Sequence, residues 1–389
     1  MPLPLTRREF LSSALLLPAL SAQTSSARFL DTVPLGAPGV QAPPFGRLLG
    51  AGLDARLFTD LSTLGAQSTI KSAQSTIESA QSTIESAIRN PQSAMLTPAD
   101  RFYIRTAVPR AAASAPPGVD FTRLERARVR IGPTLMECAG NADPSNFGLI
   151  SAATWGGYRM DAMIERLRGP ERSRVLVSGL DDPGPSRTSV PGASWIFLRE
   201  ELERAVLAVE MNDAPLAPHH GAPMRLVVPG WYGCACIKWV NEIELVADDV
   251  PATSQMREFA ARTHQDPAAR LASDFSPAVI DTAAMPVRVE KWLIDGRIAY
   301  RITGIIWGGS TPTNALSIRF RSNQPWVPVD LCPVPASTLT WSLWSHVWRP
   351  DARGRYQIVL RVDDPTIRTR RLDIFFYVRE IQIDEVSEV

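Results

Sequence analysis

Cysteine is scarce in this chain of 389 residues, which carries only Cys138, Cys234, Cys236 and Cys332. The first of them sits in Glu137-Cys138-Ala139-Gly140-Asn141. Two small residues after the thiol let the backbone turn tightly and a bulky group approach the sulfur. A thiolate is a soft ligand and suits a redox metal. A lone Cys is more often a small core residue, so this pattern by itself leaves ligand and packing both open. Cys234-Ala235-Cys236 also invites a metal reading. Two thiols two apart in a strand share a face, but without two further ligands they make no zinc site, and the expectation is packing. With four histidines in all, little is left for a His-rich centre. No Cys-x-x-Cys-His occurs, so no covalently attached haem is expected in this chain.

The surroundings of Cys138 sharpen the reading. Trp155-Gly156 follows it, and downstream come His219-His220-Gly221-Ala222-Pro223-Met224-Arg225, Trp231-Tyr232-Gly233 and Ile237-Lys238-Trp239. Together these blocks resemble the sulfite oxidase family of molybdopterin-dependent oxidoreductases, exported bacterial type, from about residue 102 to the C-terminus. The resemblance implies molybdenum-molybdopterin as cofactor, with Cys138 as the metal ligand. It places Tyr103 and Arg105 on the first active-site strand, Arg105 facing the metal-bound oxygen and an anionic substrate. A buried arginine suits that role because its planar fork stays charged and donates two parallel hydrogen bonds. It also implies pterin contacts from Asp181, His220, Arg225, Gly233 and the Cys236-Ile237-Lys238 segment. Taken singly, His220 and Lys238 have ordinary loop explanations and Asp181 has a turn explanation.

Three departures bear on the substrate. Ala142-Asp143 stands where many relatives carry basic residues, and Ala107 where sulfite-oxidising members tend to carry histidine. No tyrosine occurs between Tyr232 and Tyr300, the interval in which those members place one, although Phe259 and His264 lie there. A phenyl ring cannot donate to a bound oxyanion. A sulfoxide-type oxo-donor reductase is therefore the alternative to a sulfite-type oxidase. A cofactor-free binding protein on the same fold is the more distant one.

The elements that must position these residues start with an export signal over 1–27, where Arg7-Arg8 precedes Phe10-Leu11 and a short apolar run. That run is too short to span a bilayer and implies twin-arginine export to the periplasm. Residues 28–97 form a lead-in, Pro- and Gly-rich over 28–60, in which residues 57–61 make an apolar patch expected to dock on the main domain. Residues 66–86 are three copies of one heptad, read as a surface insertion rather than catalytic structure.

Residues 98–284 are the catalytic unit, with a helical turn at 162–167 and strands at 174–178, 206–211 and 224–228. Over 285–389, six runs of strand length at 287–292, 298–306, 315–320, 340–348, 356–362 and 372–378 predict an antiparallel sandwich. It resembles the family's immunoglobulin-like dimerisation domain, which implies a homodimer. Trp326, Trp341, Trp344 and Trp348 are expected as core and interface anchors. The fold class is thus α+β, a sulfite-oxidase-like molybdopterin-binding domain followed by that sandwich.

Hydrophobic residues make up 45% and charged residues 21%, as in an ordinary globular protein. A net charge of +1 argues against nucleic acid as a partner. With no haem motif, the electrons would go to a separate periplasmic carrier, a c-type cytochrome, and the substrate would be a small anion or oxo compound.

Overall fold

A computed structural model describes residues 27–36, 45–51, 55–64, 96–106, 121–141, 147–167, 173–180 and 193–387. The expected leader before residue 27 and the heptads over 66–86 lie outside them, as do Ala107, Ala142, Asp143 and Asp181. Strand dominates. Among the described residues the α-helices are short: Phe121–Leu124, Met160–Ile164 and Ser254–Phe259. The helix expected at 162–167 begins and ends earlier, and residues 165–166 continue it only as a turn. None of these helices is long and apolar enough to cross a membrane.

The site is built on an antiparallel sheet ordered Arg225–Val227, Val206–Met211, Ile150–Arg159, Arg128–Glu137, with Ala214–Pro215 added to Val206–Met211. Local chemistry fixes its turns. Asn212 and Asp213 both adopt positive φ, 51° and 64°, the conformation a two-residue hairpin demands and these side chains tolerate. Gly157 lies where Ile150–Arg159 meets Val206–Met211, and a Cβ there would stand 2.7 Å from the Ala208 Cα. Only glycine allows that approach. A second antiparallel sheet is ordered Val240–Ala247, Ser173–Gly179, Ser194–Phe197.

Two further four-stranded antiparallel sheets follow. One is ordered Ala27–Val33, Ala283–Ile294, Arg297–Trp307, Ser342–Trp348; the other Val327–Pro328, Leu316–Arg319, Gly354–Val362, Arg379–Ile383. The start of the lead-in is therefore a strand added to the edge of a C-terminal sheet. The apolar patch at 57–61 docks as expected: Leu57, Phe58 and Leu61 are buried, and the Thr59 N–H donates to the Gly148 carbonyl at 2.8 Å.

One expected strand is absent. Residues 372–377 turn instead, with the Tyr377 and Val378 N–H groups both donating to the Ile374 carbonyl, and the strand begins at Arg379. Packing decides the matter, because Tyr377 must bring its hydroxyl to Arg370 and its ring against Phe147. Tertiary contacts of this kind override the strand preference of an apolar run.

Glu137 ties the two halves together. It ends the strand Arg128–Glu137 with 1% of its surface exposed. Arg370 donates to both of its carboxylate oxygens at 2.7 Å, the Trp307 indole N–H donates at 2.9 Å and the Asn141 amide at 3.3 Å. Burial works against the charge on Arg370, yet the adjacent carboxylate outweighs it and holds the guanidinium protonated. Replacing Arg370 by Met should strand a buried charge and lower stability by about 3–5 kcal/mol in urea unfolding, with most of the loss recovered when Glu137→Gln is added.

Candidate active site

Cys138 opens a turn directly after Glu137. Its N–H donates to the Leu149 carbonyl at 2.9 Å, and the Asn141 N–H closes the turn on the Cys138 carbonyl at 2.9 Å. Asn141 is needed for both ends of its amide: Oδ1 accepts from the Leu149 N–H at 3.1 Å while Nδ2 reaches Glu137. The Gly140 N–H then points at the sulfur, 3.3 Å from Sγ. On balance the Cys138 thiol is pushed up, chiefly by burial and also by Glu137, while the Gly140 N–H, Arg105 and Arg262 pull against that rise. Cys138 as a whole is 9% exposed, with its sulfur under a backbone donor and close to two cations.

Around it the structure gathers the other predicted residues that it describes. Tyr103 is buried, and a Cβ on Gly233 would lie 2.5 Å from its hydroxyl. Burial, with the neighbouring Cys138 next in weight, keeps that phenol protonated. The Gly233 N–H donates to the Glu137 carbonyl at 2.7 Å, which lashes the second motif block to the Cys138 strand. Ile237 is buried, and its carbonyl accepts the Leu226 N–H at 2.7 Å.

The basic residues of that block work largely on backbone carbonyls. Arg225, buried to 4% exposure, donates to the carbonyls of His220 at 3.1 Å and Cys236 at 3.2 Å, and lies 5.1 Å over the Trp155 ring. Lys238 donates to the carbonyls of Arg105 at 3.2 Å and His219 at 3.3 Å, and to that of Thr106. It therefore pins the strand Ile104–Arg105 to the His219 loop. His220 Nε2 lies 2.8 Å from the Ala99 carbonyl, so that nitrogen carries the proton and donates.

Cys234 and Cys236 sit in a turn rather than a strand, with the Cys236 N–H donating to the Gly233 carbonyl at 3.1 Å. Alternation of faces therefore does not apply to them. The Cys236 thiol accepts from the Val228 N–H at 3.4 Å and donates to its carbonyl at 3.8 Å, an ordinary packing role. No cluster of three or more His, Cys, Asp or Glu side chains suited to a metal occurs among the described residues.

Sequence reasoning missed two cations. Arg370 lies in the C-terminal half, and Arg262 in the turn after helix Ser254–Phe259; no motif flags either. His264, which lies in the interval without a tyrosine, is taken up by Asp281 at 2.9 Å. Phe259 is half-buried, with Arg262 5.8 Å from its ring.

The Cys138 turn thus presents a buried thiol with a backbone N–H and two arginines near it. Residues 115–254 match the family model described as an oxidoreductase molybdopterin binding domain. Sulfite oxidase of Gallus gallus is 26% identical over 314 residues, 69% of this chain and 66% of that one. Mitochondrial sulfite oxidase of Drosophila melanogaster is 38% identical over 106 residues, 26% of this chain and 18% of that one. The sulfane dehydrogenase SoxCD from Paracoccus pantotrophus shares the fold, with a TM-score of 0.55 at 16% identity over 90% of this chain and 91% of that one. The chain spans under two thirds of the length of these curated relatives. The chain thus carries an oxidoreductase molybdopterin binding domain and is similar to sulfite oxidases.

His220 makes a pH test of the site's packing. Burial lowers its pKa from 6.5 to about 3, so its contribution to stability is full above pH 6.5 and is lost as the pH falls toward 3, because the unfolded chain takes up the proton first. The melting temperature of the wild type should therefore drop more steeply over that acid range than that of His220→Gln.

Proposed function

We propose that this protein is an exported sulfite oxidase-type enzyme that oxidises a small oxyanion such as sulfite and passes the electrons singly to a separate periplasmic c-type cytochrome. In overall balance, sulfite and water give sulfate, two protons and two electrons. The observation that carries the reading is the Cys138 thiol, fixed by its own turn, beside Arg105 and Arg262.

The donor set fits the cofactor. The Gly140 N–H directed at Sγ favours a thiolate, and soft thiolate ligation suits a redox metal. Cys138 would ligate molybdenum, while His220, Arg225, Gly233, the Cys236-Ile237-Lys238 segment, Tyr103 and, by the family resemblance, Asp181 would surround the pterin. When bound, this cofactor supplies a centre that exchanges an oxygen atom and two electrons with the substrate. The chain's own residues bind and orient. Arg105 supplies positive charge for the substrate anion. Tyr103 stays protonated, and neutral His220 adds no charge behind the site. The carbonyls gripped by Arg225 and Lys238 hold the two motif blocks in register.

The remaining assignments extend this reading. The paired C-terminal sheets would be the immunoglobulin-like sandwich through which two chains associate, with Trp341 and Trp344 buried in its core. The Arg7-Arg8 leader would carry the folded protein by the twin-arginine route.

Steady-state assays of natively matured protein test the proposal. Sulfite should reduce a c-type cytochrome through the enzyme, and oxidised methionine with a reduced dye should turn over far more slowly. The reverse order would make the protein a sulfoxide-type reductase.

A further inference from the structure

The Cys138 loop has a cation beside it that neither motif block announces. Arg262 stands in the 3-10 turn Ala260–Thr263. Its Nη1 lies 3.1 Å from the point a Gly140 Cβ would occupy, and the Cys138 sulfur lies 3.6 Å from that same point. Guanidinium and thiol therefore face one small volume above the Gly140 backbone, which a side chain at 140 would fill.

The turn that carries Arg262 is held from several sides. The buried Thr263 hydroxyl donates to the Phe259 carbonyl at 2.9 Å. The Gln265 N–H donates to the Ala260 carbonyl at 2.8 Å, and its side chain donates to the carbonyls of Thr263 at 2.9 Å and Ser276 at 3.0 Å. His264, at φ 62°, bonds Asp281 at 2.9 Å, and Arg368 reaches the same carboxylate oxygen at 3.3 Å. Arg262 itself is exposed and, among the described residues, has no carboxylate within ion-pair distance. The loop after Asn141 continues as Ala142-Asp143 and adds no cation of its own. A cation carried on a turn so held, with no acidic partner among the described residues, is suited to bind an anion.

We infer that Arg262 is a substrate-binding residue, which with Arg105 holds a sulfur oxyanion beside Cys138 and supplies from the turn after helix Ser254–Phe259 the donor that this chain lacks as a tyrosine. The assignment rests on the oxyanion-oxidising function proposed above and adds to it which side chain sets affinity. Its fork gives two parallel N–H donors to a sulfur oxyanion, where a phenol would give one.

The test uses molybdenum-loaded full-length protein, with loading checked by elemental analysis, and calorimetric titration with sulfate as an unreactive probe. Arg262→Gln should weaken sulfate binding about tenfold and raise KM for sulfite by a similar factor with kcat nearly unchanged, while Arg262→Lys keeps most of the affinity. An Arg262→Gln protein that binds sulfate like the wild type at unchanged KM would overturn the assignment. So would a fall in kcat alone, which would mark a structural role. Loaded wild-type protein that neither binds sulfate nor oxidises sulfite would overturn the underlying oxyanion reading instead.

Discussion

The carboxylate of Glu137 governs where Cys138 can be. It is buried, it precedes the thiol in the chain, and donors from three separate segments converge on it: Asn141, Trp307 and Arg370. A buried ion pair of this kind adds little net stability, since desolvating two charges offsets most of their attraction. What it gives is geometry. Each donor is satisfied in one arrangement only, so the Cys138 turn, the end of the strand Arg297–Trp307 and the 370 segment are fixed relative to one another. The same residue's backbone carbonyl holds Gly233, and through it the second motif block.

From that anchor the cations of the site fall into two kinds. Arg225 and Lys238 direct donors at backbone carbonyls and keep the loops in place. Arg262 has no such bonds among the described residues and stands exposed beside the thiol. A site that must accept an anionic group needs both kinds. Charge has to be available to the ligand, and the backbone around it must not yield when the ligand binds.

The motif blocks were legible in the sequence through their resemblance to a known family, and some residues also have local duties that leave a mark. Asn141 needs both a donor and an acceptor, and Asn212-Asp213 tolerates positive φ; each leaves a mark readable within a few positions. Five of the six strands expected in the C-terminal third appear, since each is an alternating or apolar run of strand length. The sixth, over 372–378, failed because Tyr377 answers to Arg370 and Phe147 rather than to its chain neighbours. Arg262 and Arg370 were invisible on the same ground. The residues they stand beside, Gly140 and Glu137, lie far along the chain, and a single arginine in a turn carries no pattern. Asp181 and the heptads over 66–86 lie outside the described residues.

One measurement addresses the centre of this account, that the Cys138 sulfur holds a molybdenum centre. X-ray absorption at the molybdenum edge, on protein matured in a cofactor-competent host, should show a sulfur shell that loses one neighbour in Cys138→Ser. A shell unchanged by that substitution, or wild-type protein carrying no molybdenum, would contradict it.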